Sequence, residues 1–170
     1  EGVGKASFAY RAARFMLAEG DPLRRAEDSR DLAVPETEGA TRKIAAHFLA
    51  RAGWTPNSEQ FAFTANGRQC IAAALSALVP SGGRCGVEAL TYPFIKGIAT
   101  LVPLAMDAQG VRPDAVQKAH REAHLSALYI QPTIQNPLGM TMPASRRTDL
   151  LRVVDKLDLT VIEDTVYGFV

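Results

Sequence analysis

The chain has 170 residues, of which 47% are hydrophobic and 22% are charged. These values are typical of one soluble globular domain, with enough length to bury a sizeable core. The formal net charge of +1 gives no electrostatic basis for nucleic-acid binding, because the acidic residues balance the basic ones. The pair Arg146-Arg147 is followed by Asp149, which indicates a solvated helix face rather than a phosphate contact.

Targeting and redox features favour a cytoplasmic protein. No apolar run is long enough to span a bilayer, and the first residues lack the apolar segment of a signal peptide. Cys70 and Cys85 have neither CxxC nor histidine spacing, so we expect two reduced thiols. His120 and His124 lie close in sequence without a third ligand, and we therefore predict no metal site.

The first third of the chain carries weak patterns. Residues 9–18 have helical composition, and residues 20–22, Gly-Asp-Pro, are a typical stop signal. The charged residues 23–34 indicate an exposed connection. A second helix is predicted from Thr41, which can cap it, to Gly53, because its apolar residues recur at helical spacing.

A predicted strand, a turn containing glycine and an apolar helix come next. The strand covers residues 61–64 and the helix covers residues 70–79. The backbone N–H groups of Gly67, Arg68 and Gln69 would then lie at a helix N-terminus, where the helix dipole favours an anion. A plain turn without a ligand is the alternative, because the sequence matches none of the glycine-rich phosphate motifs.

Four more predicted strands alternate with helices over the rest of the chain. The strands are residues 84–89, 101–106, 126–130 and 160–163. The helices are residues 93–100, residues 113–122 and a long amphipathic helix that opens at Pro143. This alternation predicts the α/β class, with a mainly parallel sheet that has helices on both faces.

Polar side chains follow several of these strands. In open α/β sheets, ligands bind beyond the carboxyl ends of the strands, so these residues could converge on one ligand. Asp164 could hold a cationic ring or an amine, and Tyr92 could stack on a flat heterocycle. Prolines and a glycine stiffen the loop that carries Asn136. The alternatives are an acidic strand exit at Asp164 and a packing role for Tyr92.

Four short motifs occur in one order along the chain. They are Asn66-Gly67-x-Gln69, Thr91-Tyr92-Pro93, Gln135-Asn136-Pro137-Leu138-Gly139 and Glu163-Asp164-x-x-Tyr167. This set resembles the pyridoxal-phosphate-dependent aminotransferases of fold type I, class I/II. It is most similar to the aminotransferase-like domain of the MocR group of GntR-family transcriptional regulators. The resemblance implies that residues 41–170 form part of the cofactor-binding large domain. Residues 1–40 are an N-terminal segment that the resemblance assigns only poorly. The small C-terminal domain would be absent.

The resemblance also implies a role for each motif residue. The implied contacts to the cofactor phosphate are Gly67, Arg68 and Gln69. Tyr92 would stack on the pyridine ring, and Asn136 and Tyr167 would hydrogen-bond its 3-oxygen. Asp164 would pair with the ring nitrogen, whereas Glu163 would be structural. In this family the Schiff-base lysine follows the Asp-x-x-Tyr motif, so we expect it after Val170 and assign no catalytic residue here.

The implied activity is transfer of an amino group between an amino acid and a 2-oxo acid, with pyridoxal phosphate as cofactor. We expect a transaminase that acts as a homodimer without a membrane partner, and an inactive fragment if this chain is isolated. The alternative is the effector-sensing domain of a MocR/GntR-type regulator, which would bind DNA only through an upstream winged-helix domain. A non-catalytic α/β domain ranks third.

Overall fold

The computed structural model describes residues 12–15, 34–50 and 54–168. Of these, residues 12–15 and 65–168 form one compact unit, and residues 34–50 and 54–64 form another. Within the described ranges, none of the helices combines the length and apolar character needed to cross a membrane. The division of the chain at residues 40 and 41 stays a prediction.

A five-stranded parallel sheet is the centre of the larger unit. Its strands are β1 (Ala12–Phe15), β2 (Arg84–Glu88), β3 (Thr100–Leu104), β6 (Ala127–Ile130) and β7 (Thr160–Asp164). They lie in the order β1-β7-β6-β2-β3. A small antiparallel hairpin, β4 (Met106–Asp107) with β5 (Gly110–Val111), follows β3. Because the strands of the large sheet are parallel, the carboxyl ends of β2, β6 and β7 meet at one edge.

Helices cover both faces of this sheet. They are α2 (Gly67–Leu78), a 3-10 helix (Pro93–Gly97), α3 (Pro113–Glu122) and α4 (Ala144–Lys156). Side chains alternate along β6, so Tyr129 packs in the core that includes α2, while Leu128 packs in the core that includes α3 and α4. The predicted α/β class, with a mainly parallel sheet between helices, is confirmed.

The smaller unit contains α1 (Val34–Leu49) and a 3-10 helix (Ser58–Gln60). The helix predicted from Thr41 therefore begins earlier, at Val34, and Thr41 does not cap it. Pro35 explains this start, because a proline is tolerated in the first turn of a helix, where its missing N–H is not needed. The predicted end at Gly53 lies outside the described residues.

Two predictions of secondary structure are wrong. Residues 61–64 are not a strand, although their aromatic side chains favour one. Residues 12–15, which lie within the predicted helix over 9–18, form β1 and pair in parallel with β7. At residues 12–15 tertiary pairing with β7 has overridden the local composition. Residues 61–64 pair with no strand of the described ranges, and a strand needs such a neighbour whatever its composition. The predicted helix over 93–100 is a shorter 3-10 helix, and α2 begins at Gly67 rather than at Cys70.

Candidate functional site

Asp164 lies at the centre of a buried hydrogen-bond network at this edge of the sheet. It is the last residue of β7 and is 6% exposed. Its Oδ2 accepts hydrogen bonds from the Tyr129 hydroxyl (2.6 Å) and from Gln131 Nε2 (3.0 Å). Its Oδ1 accepts one from the backbone N–H of Val166, at 3.1 Å. A carboxylate can accept about four hydrogen bonds, so Oδ1 retains capacity for one more donor.

Tyr129 holds this carboxylate from the core. The ring is fully buried on β6, and burial raises the pKa of the Tyr129 hydroxyl far above its ordinary range. The charge of Asp164 and the hydrogen bond to it raise this pKa further. Tyr129 is therefore a neutral phenol at physiological pH, and it can only donate towards the charged oxygen.

Gln131 leaves one polar atom unsatisfied. The residue is 3% exposed, and its Oε1 has no hydrogen-bond partner among the described residues. Exchanging the amide oxygen and nitrogen would not resolve this, because it would place Oε1 against the Asp164 carboxylate. Two acceptor atoms, Gln131 Oε1 and Asp164 Oδ1, are thus open in one network.

Glu88 is a second buried carboxyl group at the same edge. It ends β2, is 1% exposed, and accepts hydrogen bonds from Gln131 N (3.1 Å) and Gln135 Nε2 (3.3 Å). Burial raises the pKa of Glu88 to about 7, although these two hydrogen bonds lower it. The nearby charge of Asp164 raises the pKa further. Glu88 was not among the predicted site residues, although it closes an apolar strand as Asp164 does.

Arg147 fixes the loop that follows β6. It lies on α4 and donates to Glu163 Oε1 (3.1 Å), to the Pro132 carbonyl (3.2 Å) and to Thr133 Oγ1 (2.9 Å). Arg146 beside it donates to Asp107, at 2.7 Å for the shorter bond. The interpretation of this arginine pair as a solvated helix face is therefore wrong. The assignment of Glu163 to a structural role agrees with its ion pair to Arg147.

The loop also presents Asn136. Asn136 is half-buried and is joined to Pro137 by a cis peptide bond. The turn around it is closed by the Gln135 N–H, which donates to the Met140 carbonyl (2.8 Å), and by the Gly139 N–H, which donates to the Gln135 carbonyl (2.6 Å). Gly139 has a φ of +66°, a conformation that glycine adopts without strain.

The N-terminus of α2 brings two of the predicted residues together. Arg68 Nε donates to the Tyr92 hydroxyl at 3.2 Å, and the guanidinium lies 5.5 Å from the centre of the Phe94 ring. Asn66 is the N-cap, and its side chain accepts the Gln69 N–H at 3.0 Å. The Gln69 N–H is therefore engaged in the cap, whereas the N–H groups of Gly67 and Arg68 lie in the first turn.

Of the predicted residues, Asp164 belongs to a network with Tyr129 and Gln131, and this network extends through Glu88 to Gln135 in the Asn136 loop. A further hydrogen bond joins Arg68 to Tyr92. Tyr167 follows β7 in a turn and is 40% exposed. The ligand roles assigned to these residues from the sequence stay predictions. The network offers a ligand a buried carboxylate at the edge of a sheet, an arrangement suited to a cation that carries an N–H group.

The fold is that of the fold type I aminotransferases. LysN, an alpha-aminoadipate aminotransferase from Thermus thermophilus, superposes with a TM-score of 0.65 over 97% of this chain and 46% of its own, at 19% identity. That structure contains N-(5'-phosphopyridoxyl)-L-leucine. No protein-family model matches the chain.

Sequence relatives fall into two groups. The HTH-type transcriptional regulator YdeF of Bacillus subtilis is 30% identical over 131 residues, which are 74% of this chain and 28% of its own length. An aromatic amino acid aminotransferase of Schizosaccharomyces pombe is 35% identical over 106 residues, which are 56% of this chain and 22% of its own. The chain therefore spans less than a third of these relatives. The predicted resemblance, to fold type I aminotransferases and to MocR/GntR-type regulators, is confirmed.

Proposed function

We propose that this chain forms part of a pyridoxal-phosphate-binding domain, in a protein that transfers an amino group between an amino acid and a 2-oxo acid. The observation that carries the proposal is the buried carboxylate of Asp164, which ends a central strand and keeps one acceptor position open on Oδ1. The kinship with aminotransferases and the phosphopyridoxyl compound in LysN support the choice of ligand.

The residues present fit this cofactor. A protonated pyridine nitrogen is a cation with a single N–H, and Asp164 offers a negative charge with a single open position. The unpartnered Gln131 Oε1 in the same network is a further acceptor that a ligand could satisfy. Nearby, Arg68 and the first-turn N–H groups of α2 provide positive charge and donors, which suit a phosphate group.

Each residue would act on a different part of the cofactor. Asp164 would pair with the ring nitrogen and favour its protonated form by charge pairing. Bound pyridoxal phosphate supplies an electron sink for a substrate carbanion. Tyr92 would stack on the ring, while Asn136 and Tyr167 would hydrogen-bond its 3-oxygen. The phosphate would lie at Gly67, Arg68 and Gln69, with Gln69 contributing through its side chain or after release of its N–H from the cap.

The complete protein would supply the remaining groups. These are the lysine that attaches the cofactor, an arginine that binds the substrate carboxylate and a small domain that covers the site. We further propose a cytoplasmic homodimer, as in the family that the motifs resemble. The resemblance of the motifs supports these assignments.

A regulator is the second candidate. It is favoured by YdeF, an HTH-type transcriptional regulator whose similarity covers 74% of this chain, against 56% for the yeast aminotransferase. In that case the same site would sense pyridoxal phosphate or an amine, and a separate helix-turn-helix domain would bind DNA.

The test uses the complete protein that carries this chain. Titration with pyridoxal phosphate, followed by its visible absorbance, should show saturable binding, and addition of an amino acid should change the spectrum. Asp164→Ala should reduce amino-group transfer roughly hundredfold, because a charge that acts on the reacting system is lost. Asp149→Ala, at an exposed position on α4, is the matched control.

Two results would contradict the proposal. The unmodified protein could fail to bind pyridoxal phosphate at saturating concentration, which would remove the cofactor assignment. Alternatively, Asp164→Ala could retain nearly full activity, which would remove the role of Asp164. Cofactor binding without amino-group transfer, together with DNA binding that responds to an amine, would favour the regulator.

A further inference from the structure

Gln135 connects two segments that the proposed function uses for the cofactor ring. We propose that Gln135 is a positioning residue, which ties the end of β2 to the 135–139 turn and so holds Tyr92 and Asn136 in a fixed relation. The inference rests on the proposed function, because the ring that these two residues would contact is that of the cofactor.

The Gln135 side chain is fully engaged within the protein. It is 2% exposed. Its Nε2 donates to Glu88 Oε2 (3.3 Å) and to the Leu90 carbonyl (2.5 Å), and its Oε1 accepts the Leu138 N–H (3.0 Å). Both amide hydrogens and the carbonyl oxygen are therefore used, and another rotamer would break these bonds, of which the one to Glu88 is buried.

These bonds join parts of the chain that are far apart in sequence. Glu88 and Leu90 lie four and two residues before Tyr92, whereas Leu138 belongs to the turn that presents Asn136. The Glu88 oxygen also accepts the Gln131 N–H, which anchors the start of the same loop. Since the separations are 45 and 47 residues, no local turn geometry could keep the two segments together. Gln135 therefore acts through Tyr92 and Asn136 and needs no contact with the cofactor.

The test compares the binding of pyridoxal phosphate with that of inorganic phosphate in the complete protein. Gln135→Met keeps the length of the side chain but removes its donors and its acceptor. We expect the dissociation constant for pyridoxal phosphate to rise about tenfold, because the ring contacts lose their alignment. The dissociation constant for inorganic phosphate should rise much less, because the phosphate would also be held by the first-turn N–H groups of α2, which the helix itself fixes. Gln117→Met, on α3, is the matched control, and Glu88→Gln should keep the cofactor affinity since its amide oxygen can still accept from Gln135.

Hydrogen exchange supplies a second readout that does not depend on a variant. In the unmodified protein, pyridoxal phosphate should raise the protection of residues 88–92 and 135–139 together. Protection of one segment alone would overturn the inference. A Gln135→Met protein that has lost protection of the Leu138 N–H, yet binds pyridoxal phosphate and inorganic phosphate as the unmodified protein does, would also overturn the inference. The same holds for a Gln135→Met protein whose affinity falls equally for both ligands. If the unmodified protein bound no pyridoxal phosphate, the proposed function would fail and this inference with it.

Discussion

Replacement of Glu88 by glutamine should change how the stability of the fold depends on pH. In the folded protein, burial raises the pKa of Glu88 from its ordinary 4.5 to about 7. Between these two pH values the folded state binds a proton that the unfolded state has released. The free energy of unfolding should therefore fall as the pH rises from about 4.5 to about 7.

The size of this effect follows from the shift. Each pKa unit corresponds to about 1.4 kcal/mol, so the contribution of Glu88 that is lost across this window is about 3.5 kcal/mol at most. Glutamine has nearly the same shape and carries no charge, and its oxygen can still accept the Gln131 N–H. Glu88→Gln should remove this part of the pH dependence and be the more stable protein at pH 8.

Denaturant unfolding of both proteins at pH 5, 6, 7 and 8 measures the difference. The side-chain carboxyl carbon of Glu88, followed by NMR over the same range, reports its titration directly. Glu122→Gln, at an exposed position on α3, controls for the loss of one glutamate. The prediction is refuted if the free energies of unfolding of Glu88→Gln and the unmodified protein change in parallel from pH 5 to pH 8. It is also refuted if Glu88 titrates at its ordinary pKa.

Three further substitutions test the network around the site by denaturant unfolding. Tyr129→Phe removes a hydrogen bond to the buried charge of Asp164 and should cost about 2 kcal/mol, so unchanged stability would contradict the bond. Arg147→Met removes the ion pair with the buried Glu163 and should cost about 3 kcal/mol, and the double variant with Glu163→Gln should recover part of the loss unless the two residues act independently. Asn66→Ala removes the N-cap of α2 and should cost about 1 kcal/mol, whereas Asn66→Ser should cost less; equal losses would rule out capping.

The elements that were predictable from the sequence carry their signals locally. The helix α3 opens at Pro113, where a proline fits the first turn, and the predicted range agrees with the observed one. The strand β7 is a short β-branched run that a charged pair closes. In both cases the residues that decide the conformation lie inside the element or next to it.

The strand β1 has no local signal in the sequence. Residues 12–15, Ala-Ala-Arg-Phe, have a composition that suits a helix, and nothing beside them indicates a strand. They pair with β7, whose partner residues begin at Val161. A single sequence holds no signal for a contact across so many residues, whereas the helical composition is visible directly. The helical composition of residues 12–15 therefore predicts the wrong element.

The same limit applies to the candidate site. Asp164 was predictable because it is a carboxylate at the end of an apolar strand. Its partners were not, since Tyr129 and Gln131 are 35 and 33 residues away, and a tyrosine in an apolar strand is typical of packing. Glu88 did carry a signal, because it closes the apolar run Cys-Gly-Val as Asp164 closes its own. A carboxylate at the end of an apolar strand is thus a signal that both residues carry.

The buried network would serve an enzyme and a regulator equally well. Under the proposed function, Tyr129 and Gln131 orient Asp164 from within the sheet, and Asp164 acts only on the ring nitrogen. That task is the same whether the bound cofactor takes part in turnover or serves as a sensed effector. Cofactor affinity and its dependence on Asp164 therefore cannot separate the two. Because amino-group transfer and DNA binding use groups beyond the sheet edge described here, only a direct measurement of those two activities discriminates between the candidates.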